Sequence, residues 1–173
     1  GTLMQPFWPR RSPHFLACRR AVRPFDGPAV IGLSGGPDSL ALVAAAAAEQ
    51  KDVSVLVVDH GLQPGSADVA ERAAAVAREF GFASTVANVT VGPGNVEAAA
   101  REARYAALLE SGRDVWVAHT ADDQAETLLL GALRGNPSGM AQRNGKIVRP
   151  FLHIRRADTV WACAELGLEV WND

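Results

Sequence analysis

Apolar positions along this chain fall into two kinds of segment that alternate. Short, largely apolar runs at residues 29–33, 53–58, 84–89, 115–118 and 147–148 have the length and β-branching of strands, and the runs at 29–33 and 53–58 read as strands covered on both faces. Between them, alanine- and leucine-rich stretches at residues 38–50, 66–80, 95–109, 121–133 and 156–166 read as helices, the third opened by Asn95 as its cap. A short basic helix is expected over residues 12–24, followed by the turn Asp26-Gly27-Pro28. No internal repeat is visible. The alternation predicts an α/β fold, doubly wound and Rossmann-like, with a mainly parallel five-stranded sheet and helices on both faces. Ligands of such sheets gather at the carboxyl ends of the strands. Ser34–Ser39, Asp59–His60 and His119–Glu126 each follow directly on a strand, so all three belong to one rim.

At 173 residues the chain fits one ordinary domain that buries roughly two thirds of its unfolded surface. Residues 1–25 are read as a basic arm or helix, with Gly1-Thr2-Leu3 ahead of Met4 as an appended scar, and residues 26–173 as the main domain. The longest apolar run, residues 40–48, is mostly alanine and under half a bilayer span, so no membrane role is expected. Cys18 and Cys163 form no C-x-x-C pair and suggest neither zinc nor a disulfide framework, which fits a reducing cytoplasm.

The net charge of −2 hides an uneven distribution. Arg10, Arg11, Arg19, Arg20 and Arg23 crowd the first 25 residues, and Arg134, Arg143, Lys146, Arg149, Arg155 and Arg156 crowd residues 131–156, neither stretch containing an acid. These flanks read either as phosphate contacts for a nucleic acid or as solvated surface. Charge alone favours the surface, because the excess of arginine over lysine in so alanine-rich a chain also fits a GC-rich genome.

Ser34-Gly35-Gly36-Pro37-Asp38-Ser39 joins a buried strand to a helix, the setting of a phosphate cradle. Gly35 and Gly36 allow close backbone approach and angles closed to other residues, and Pro37 loses no hydrogen bond in a first helical turn. No G-K-[S/T] follows. Asp38 would repel phosphates unless magnesium bridged the two charges. The competing reading is a glycine turn in which Asp38 and Ser39 only cap a helix.

In His119-Thr-Ala-Asp-Asp-Gln-Ala-Glu126, Asp122, Asp123 and Glu126 can share one helix face. Thr120 and Asp123 fit a capping box, which leaves Glu126 and His119 unexplained and suggests a site for magnesium or a cationic substrate. On the preceding helix Glu97 and Arg101 can form an exposed pair, whereas Arg104 falls at the edge of the apolar stripe and turns toward the rim, as a phosphate or base contact or as a snorkelling side chain.

SGGPDS, VDHGL, NVEAAAREARYAAL and HTADDQAETLLLGALRG stand here in the order and spacing of the tRNA(Ile)-lysidine synthases, and the chain resembles that branch of the N-type ATP pyrophosphatases (the PP-loop family) over about residues 26–173. The resemblance implies an adenine nucleotide alpha hydrolase-like fold and a cytoplasmic ligase that modifies tRNA. ATP would adenylate the wobble cytidine (position 34) of tRNA(Ile) with a CAU anticodon, releasing pyrophosphate, and L-lysine would then displace AMP to give lysidine. By this likeness Ser34, Gly35, Gly36, Pro37, Asp38 and Ser39 hold the polyphosphate, with Asp59, His60 and His119 beside them as ATP contacts. Asp38 and Asp122 act through magnesium, Arg104 supports adenylation, and Asp123 and Glu126 receive the lysine ammonium. A homodimer is the assembly allowed for. The segment after Gly135 is shorter than usual in the family, and the chain ends at Trp171-Asn172-Asp173 where the family continues, so a fragment is expected. The alternatives are another PP-loop pyrophosphatase, such as a tRNA thiolase or an amidotransferase-type synthetase, and a non-catalytic ATP-binding module. A thiolase would need reactive cysteines at the rim, where neither Cys18 nor Cys163 is expected.

Overall fold

The computed structural model describes residue 8, residues 12–136 and residues 138–171. Gly1-Thr2-Leu3, Arg10 and Arg11 of the basic arm, Pro137, and the terminal Asn172-Asp173 lie outside the described residues. In chain order the elements are α1 (Pro13–Val22), β1 (Ala29–Gly32), α2 (Pro37–Ala48), β2 (Val53–Asp59), α3 (Ser66–Glu79), β3 (Ser84–Asn88), α4 (Val96–Leu109), β4 (Asp114–Trp116), α5 (Ala121–Leu133), β5 (Arg143–Asn144), β6 (Ile147–Val148) and α6 (Arg156–Glu165).

The strands form one sheet in the order β3-β2-β1-β4-β6-β5, parallel except for β5. The chain winds outward from β1 through β2 to β3, then crosses back to place β4 on the other side of β1. The switch point therefore falls between β1 and β4, the crevice in which an open α/β sheet binds its ligand. The five expected strands are all present. The sixth, β5, corrects the five-stranded expectation: it pairs antiparallel with β6 around Gly145, whose φ is +60°. The two-residue loop is Gly145-Lys146, with glycine at the first central position as tight hairpins favour, but β5 itself is Arg143-Asn144, so no apolar run marks the strand.

On one face Ile31, Val55, Val57 and Trp116 share a core with α1, α2, α3 and α6; on the other, Val30, Val115 and Val117 pack against Leu108 and Tyr105 of α4. Helix α1 joins the larger core through Phe15, Cys18 and Val22, spaced three and four apart as one helical face requires. The α4 face is thinner, and β2 alternates accordingly: Val55, Val57 and Asp59 are buried while Ser54, Leu56 and Val58 are half-buried. This corrects the expectation that β2 is covered on both faces. At the end of β1, Gly32 lets Leu108 close in, since a Cβ there would meet both Leu108 methyl carbons at 3.2 Å.

Helix α2 runs through the middle of the larger core with Leu40, Ala41, Leu42, Val43, Ala44, Ala45 and Ala46 all buried. A helix apolar on every side is stable only when surrounded, and it is enclosed by α1, α6 and the sheet. Among the described residues no helix is long and apolar enough to cross a membrane.

Candidate active site

The turn after β1 is organised by its own hydroxyls. Ser34 N donates to Ser39 Oγ at 3.0 Å, Gly36 N donates to Ser34 Oγ at 3.2 Å, and the two hydroxyls lie 3.1 Å apart. Gly36 caps α2 through its backbone position and Pro37 occupies the first turn, so the helix N-terminus opens onto the turn with no side-chain cap. Asp38 and Ser39 thus do not cap the helix, and the capping alternative fails. Gly36 has φ −79° and ψ 162°, an extended conformation open to any residue, and neither Gly35 nor Gly36 is among the positive-φ glycines. Their use here is the missing side chain at two buried positions rather than a special backbone angle. Gly35 O also accepts from Trp171 N at 2.9 Å, which ties the end of the described chain to the turn.

Helix α5 opens after β4 on the capping box read from the sequence. Thr120 N donates to Asp123 Oδ2 at 2.8 Å and Asp123 N donates back to Thr120 Oγ1 at 3.4 Å. Between α5 and the turn stands a residue that the sequence reading counted only as part of a basic flank. The Arg156 guanidinium donates through Nε to Asp38 Oδ2 at 3.3 Å and through a terminal nitrogen to Asp123 Oδ1 at 3.0 Å. Its backbone N donates to Asp122 Oδ1 at 2.8 Å, and Thr159 Oγ1, one turn along α6, donates to Asp38 Oδ1 at 2.5 Å. The turn and the acidic helix therefore share one side of the molecule, linked through α6.

The same environment moves the two acids in opposite directions. Burial raises the Asp38 pKa, and the Thr159 hydrogen bond and the Arg156 charge only partly offset it. Burial also pushes Asp123 upward, but bonds from the Thr120 amide and hydroxyl, together with Arg156 and His119, hold it below the ordinary value. Neighbouring acids driven apart in this way are a mark of catalytic sites.

His119 lies at the end of β4, half-buried. Arg149 donates to its Nδ1 at 3.1 Å, which leaves the ring proton on Nε2. Burial first, and Arg149 second, lower its pKa to about 4, with Arg101 and Arg104 adding to the effect and Asp123 opposing it. Asp59 is buried and accepts from Gly61 N at 2.9 Å, while His60 Nε2 bonds Ala100 O at 3.0 Å and joins the end of β2 to α4. The Arg104 guanidinium lies 5.2 Å from the Tyr105 ring centre, and its Nε and the Tyr105 hydroxyl are both buried without a hydrogen-bond partner. Glu126 is exposed, three residues beyond Asp123.

Several expectations change. Arg101 does not pair with Glu97; it lies 5.4 Å from the Tyr105 ring. Much of the basic flanks is spent inside the molecule: Arg19 and Arg23 pair with Glu49, Arg143 with Asp114, and Arg156 with the rim acids. Cys163 is not remote from the turn, since its Sγ lies 3.5 Å from Pro37 O. Burial pushes the pKa of both Cys18 and Cys163 up to about 12, so neither is a ready thiolate. Arg149 follows directly on β6, and the rule that selected the other rim clusters also selects it. Arg156 sits at a helix N-terminus, where the helix dipole disfavours a cation, and that mismatch was its signal.

The chain is similar to the tRNA(Ile)-lysidine synthase of Corynebacterium glutamicum (strain ATCC 13032), with 56% identity over 95% of this chain and 54% of that protein. It is likewise similar to the tRNA(Ile)-lysidine synthase of Corynebacterium diphtheriae, with 60% identity over 98% of this chain and 59% of that protein. The chain thus spans a little over half the length of these relatives. Among solved structures, a U34-tRNA thiolase from Methanococcus maripaludis superimposes with a TM-score of 0.75 at 18% identity, over 94% of this chain and 67% of that one, which speaks for the fold alone. The family described as the PP-loop domain matches residues 19–173, taking in every rim element described above, and the chain belongs to that family.

Proposed function

We propose that this chain carries the catalytic site of a tRNA(Ile)-lysidine synthase. It adenylates the wobble cytidine of tRNA(Ile) with a CAU anticodon and then joins L-lysine to it, in the cytoplasm. One observation carries the reading: a single guanidinium spans Asp38 of the turn and Asp123 of the acidic helix, so the polyphosphate and the amine are handled side by side.

The backbone N–H groups at the start of α2 and the Ser34 and Ser39 hydroxyls face the place where the polyphosphate of ATP would lie, with the positive end of the helix dipole behind them. Arg104 offers a buried Nε with no partner, which an anionic oxygen would satisfy. His119 is neutral near pH 7 and presents Nε2–H as a donor, so it can bond a nucleotide oxygen without adding charge. Asp59 and His60 complete the nucleotide side of the rim.

Magnesium fits the donors present. Asp38 places a largely buried carboxylate beside the proposed polyphosphate site, and magnesium is commonly held by one or two carboxylates and completed by phosphate oxygens and water. Asp38 would hold it, with Asp122 as second ligand through the oxygen not used on α6. Bound there, magnesium would offset the charge that develops on departing pyrophosphate. Asp123 stays ionised and receives the lysine ammonium, with Glu126 one turn further along α5 as its second acid.

The test is to incubate the protein with ATP, magnesium, L-lysine and the cognate tRNA transcript. AMP and pyrophosphate should appear only when the tRNA is present, and mass spectrometry should find lysidine in the digested RNA. Sulfur in place of lysine, or nucleotide binding without turnover, would refute the reading.

A further inference from the structure

Each acid bridged by Arg156 has a single uncommitted oxygen, and Arg156 holds both. Asp123 Oδ2 is taken by the Thr120 amide and hydroxyl, leaving Oδ1 to the guanidinium. Asp38 Oδ1 is taken by Thr159, leaving Oδ2 to the guanidinium. An ammonium group approaching Asp123 and a cation approaching Asp38 thus need the very oxygens that Arg156 covers. Its backbone is held at the amide, which donates to Asp122 Oδ1 at 2.8 Å. The side chain is 47% exposed and has room to swing. Partly exposed ion pairs are weak enough to exchange partners readily, and a polyphosphate at the turn would be the strongest new anion within reach.

Resting on the ligase reading, we infer that Arg156 sets the order of addition: it occupies the amine site until nucleotide binds, then moves onto the polyphosphate and releases Asp123 for lysine. Arg156 is here a positioning residue that makes lysine binding conditional on nucleotide. A second consequence, by reciprocity, is that bound lysine strengthens nucleotide binding by the same factor.

The test is calorimetric titration of L-lysine into the full chain, with and without a non-hydrolysable ATP analogue and magnesium, for wild type, Arg156→Gln and Arg156→Lys. Wild type should bind lysine at least about fivefold more tightly with the analogue present, within the usual range of coupling between sites. Arg156→Gln should bind lysine equally well in both states, at an affinity near that of the nucleotide-loaded wild type, while Arg156→Lys should restore the coupling. Full coupling in Arg156→Gln, or loss of lysine binding in both of its states, would overturn the inference and leave the ligase reading intact. Wild type that binds the analogue but never lysine would overturn both together. Unchanged melting temperatures would show that the variants are folded.

Discussion

Asp38 is held by Thr159 and Arg156 in surroundings whose low polarity works against its charge. Asp38→Asn keeps the shape and the bond from Thr159 but removes the charge proposed to hold magnesium. Pyrophosphate release in the tRNA-dependent assay should fall at least about a hundredfold, on the scale of a lost electrostatic contact in a reaction site. His119 offers a separate handle through pH. Its folded pKa of about 4 lies below the unfolded value of 6.5, so the unfolded chain takes up the proton first as the solution is acidified. The His119 contribution is fully present above pH 6.5 and is lost as pH falls toward 4. Melting temperature should therefore drop across that window in wild type and drop less in His119→Asn, which keeps an acceptor for Arg149 without titrating. Equal pH profiles for the two proteins would count against the Arg149–His119 geometry. The acids, the serine-glycine turn and His119 were legible in the sequence because each follows a strand. Thr159, and the partners that Arg156 finds, were not, because the link from α6 back to α2 joins residues 118 and 121 positions apart, and no local pattern encodes that distance.

Among the elements, α5 is unusual in having no buried residue, with Leu128, Leu129, Leu130 and Leu133 all exposed and Leu133 at 77%. Its first turn is anchored by the capping box and by Ala121 N donating to Ile154 O at 2.7 Å, and Gln124 is bonded to Met140 through both its amide oxygen and nitrogen. The rest of the helix depends on its own hydrogen bonds, and opening free energy follows buried contact. Hydrogen exchange should find the amides of residues 127–133 exchanging far faster than those of residues 40–46 in α2. Equal protection would show that something covers the leucines. The apolar run of α5 identified a helix in the sequence but not its exposure, because periodicity reports which side chains are apolar and not whether a neighbour meets them. Strand β5 is the converse case, an element without an apolar pattern that only the glycine of the Gly145-Lys146 turn announces.

At the scale of the whole molecule, the strand order places the switch point beside the serine-glycine turn, and this follows from alternation of elements and the handedness of crossovers. Trp116 of β4 is 1% exposed and meets Phe25 edge-on with ring centres 6.4 Å apart, so it joins the sheet to the segment after α1. Trp116→Ala should cost about 3–5 kcal/mol and lower the melting temperature by roughly 10 °C for a chain of this size. A loss below about 1 kcal/mol would mean that the core closes over the gap. The uneven thickness of the two sheet faces was not legible, since the pattern of β2 marks apolar side chains without showing that, among the described residues, the buried cluster on the far side draws on α4.

The alanines of α2 also set the position of the proposed site. A helix wedged on all sides by small side chains has no slack along or across its axis, so its first turn acts as a datum against which the other rim groups are measured. One methyl group too many at Ala44 or Ala45, both fully buried, would overfill that space and is expected to shift the turn against Asp123, slowing the proposed chemistry from a distance.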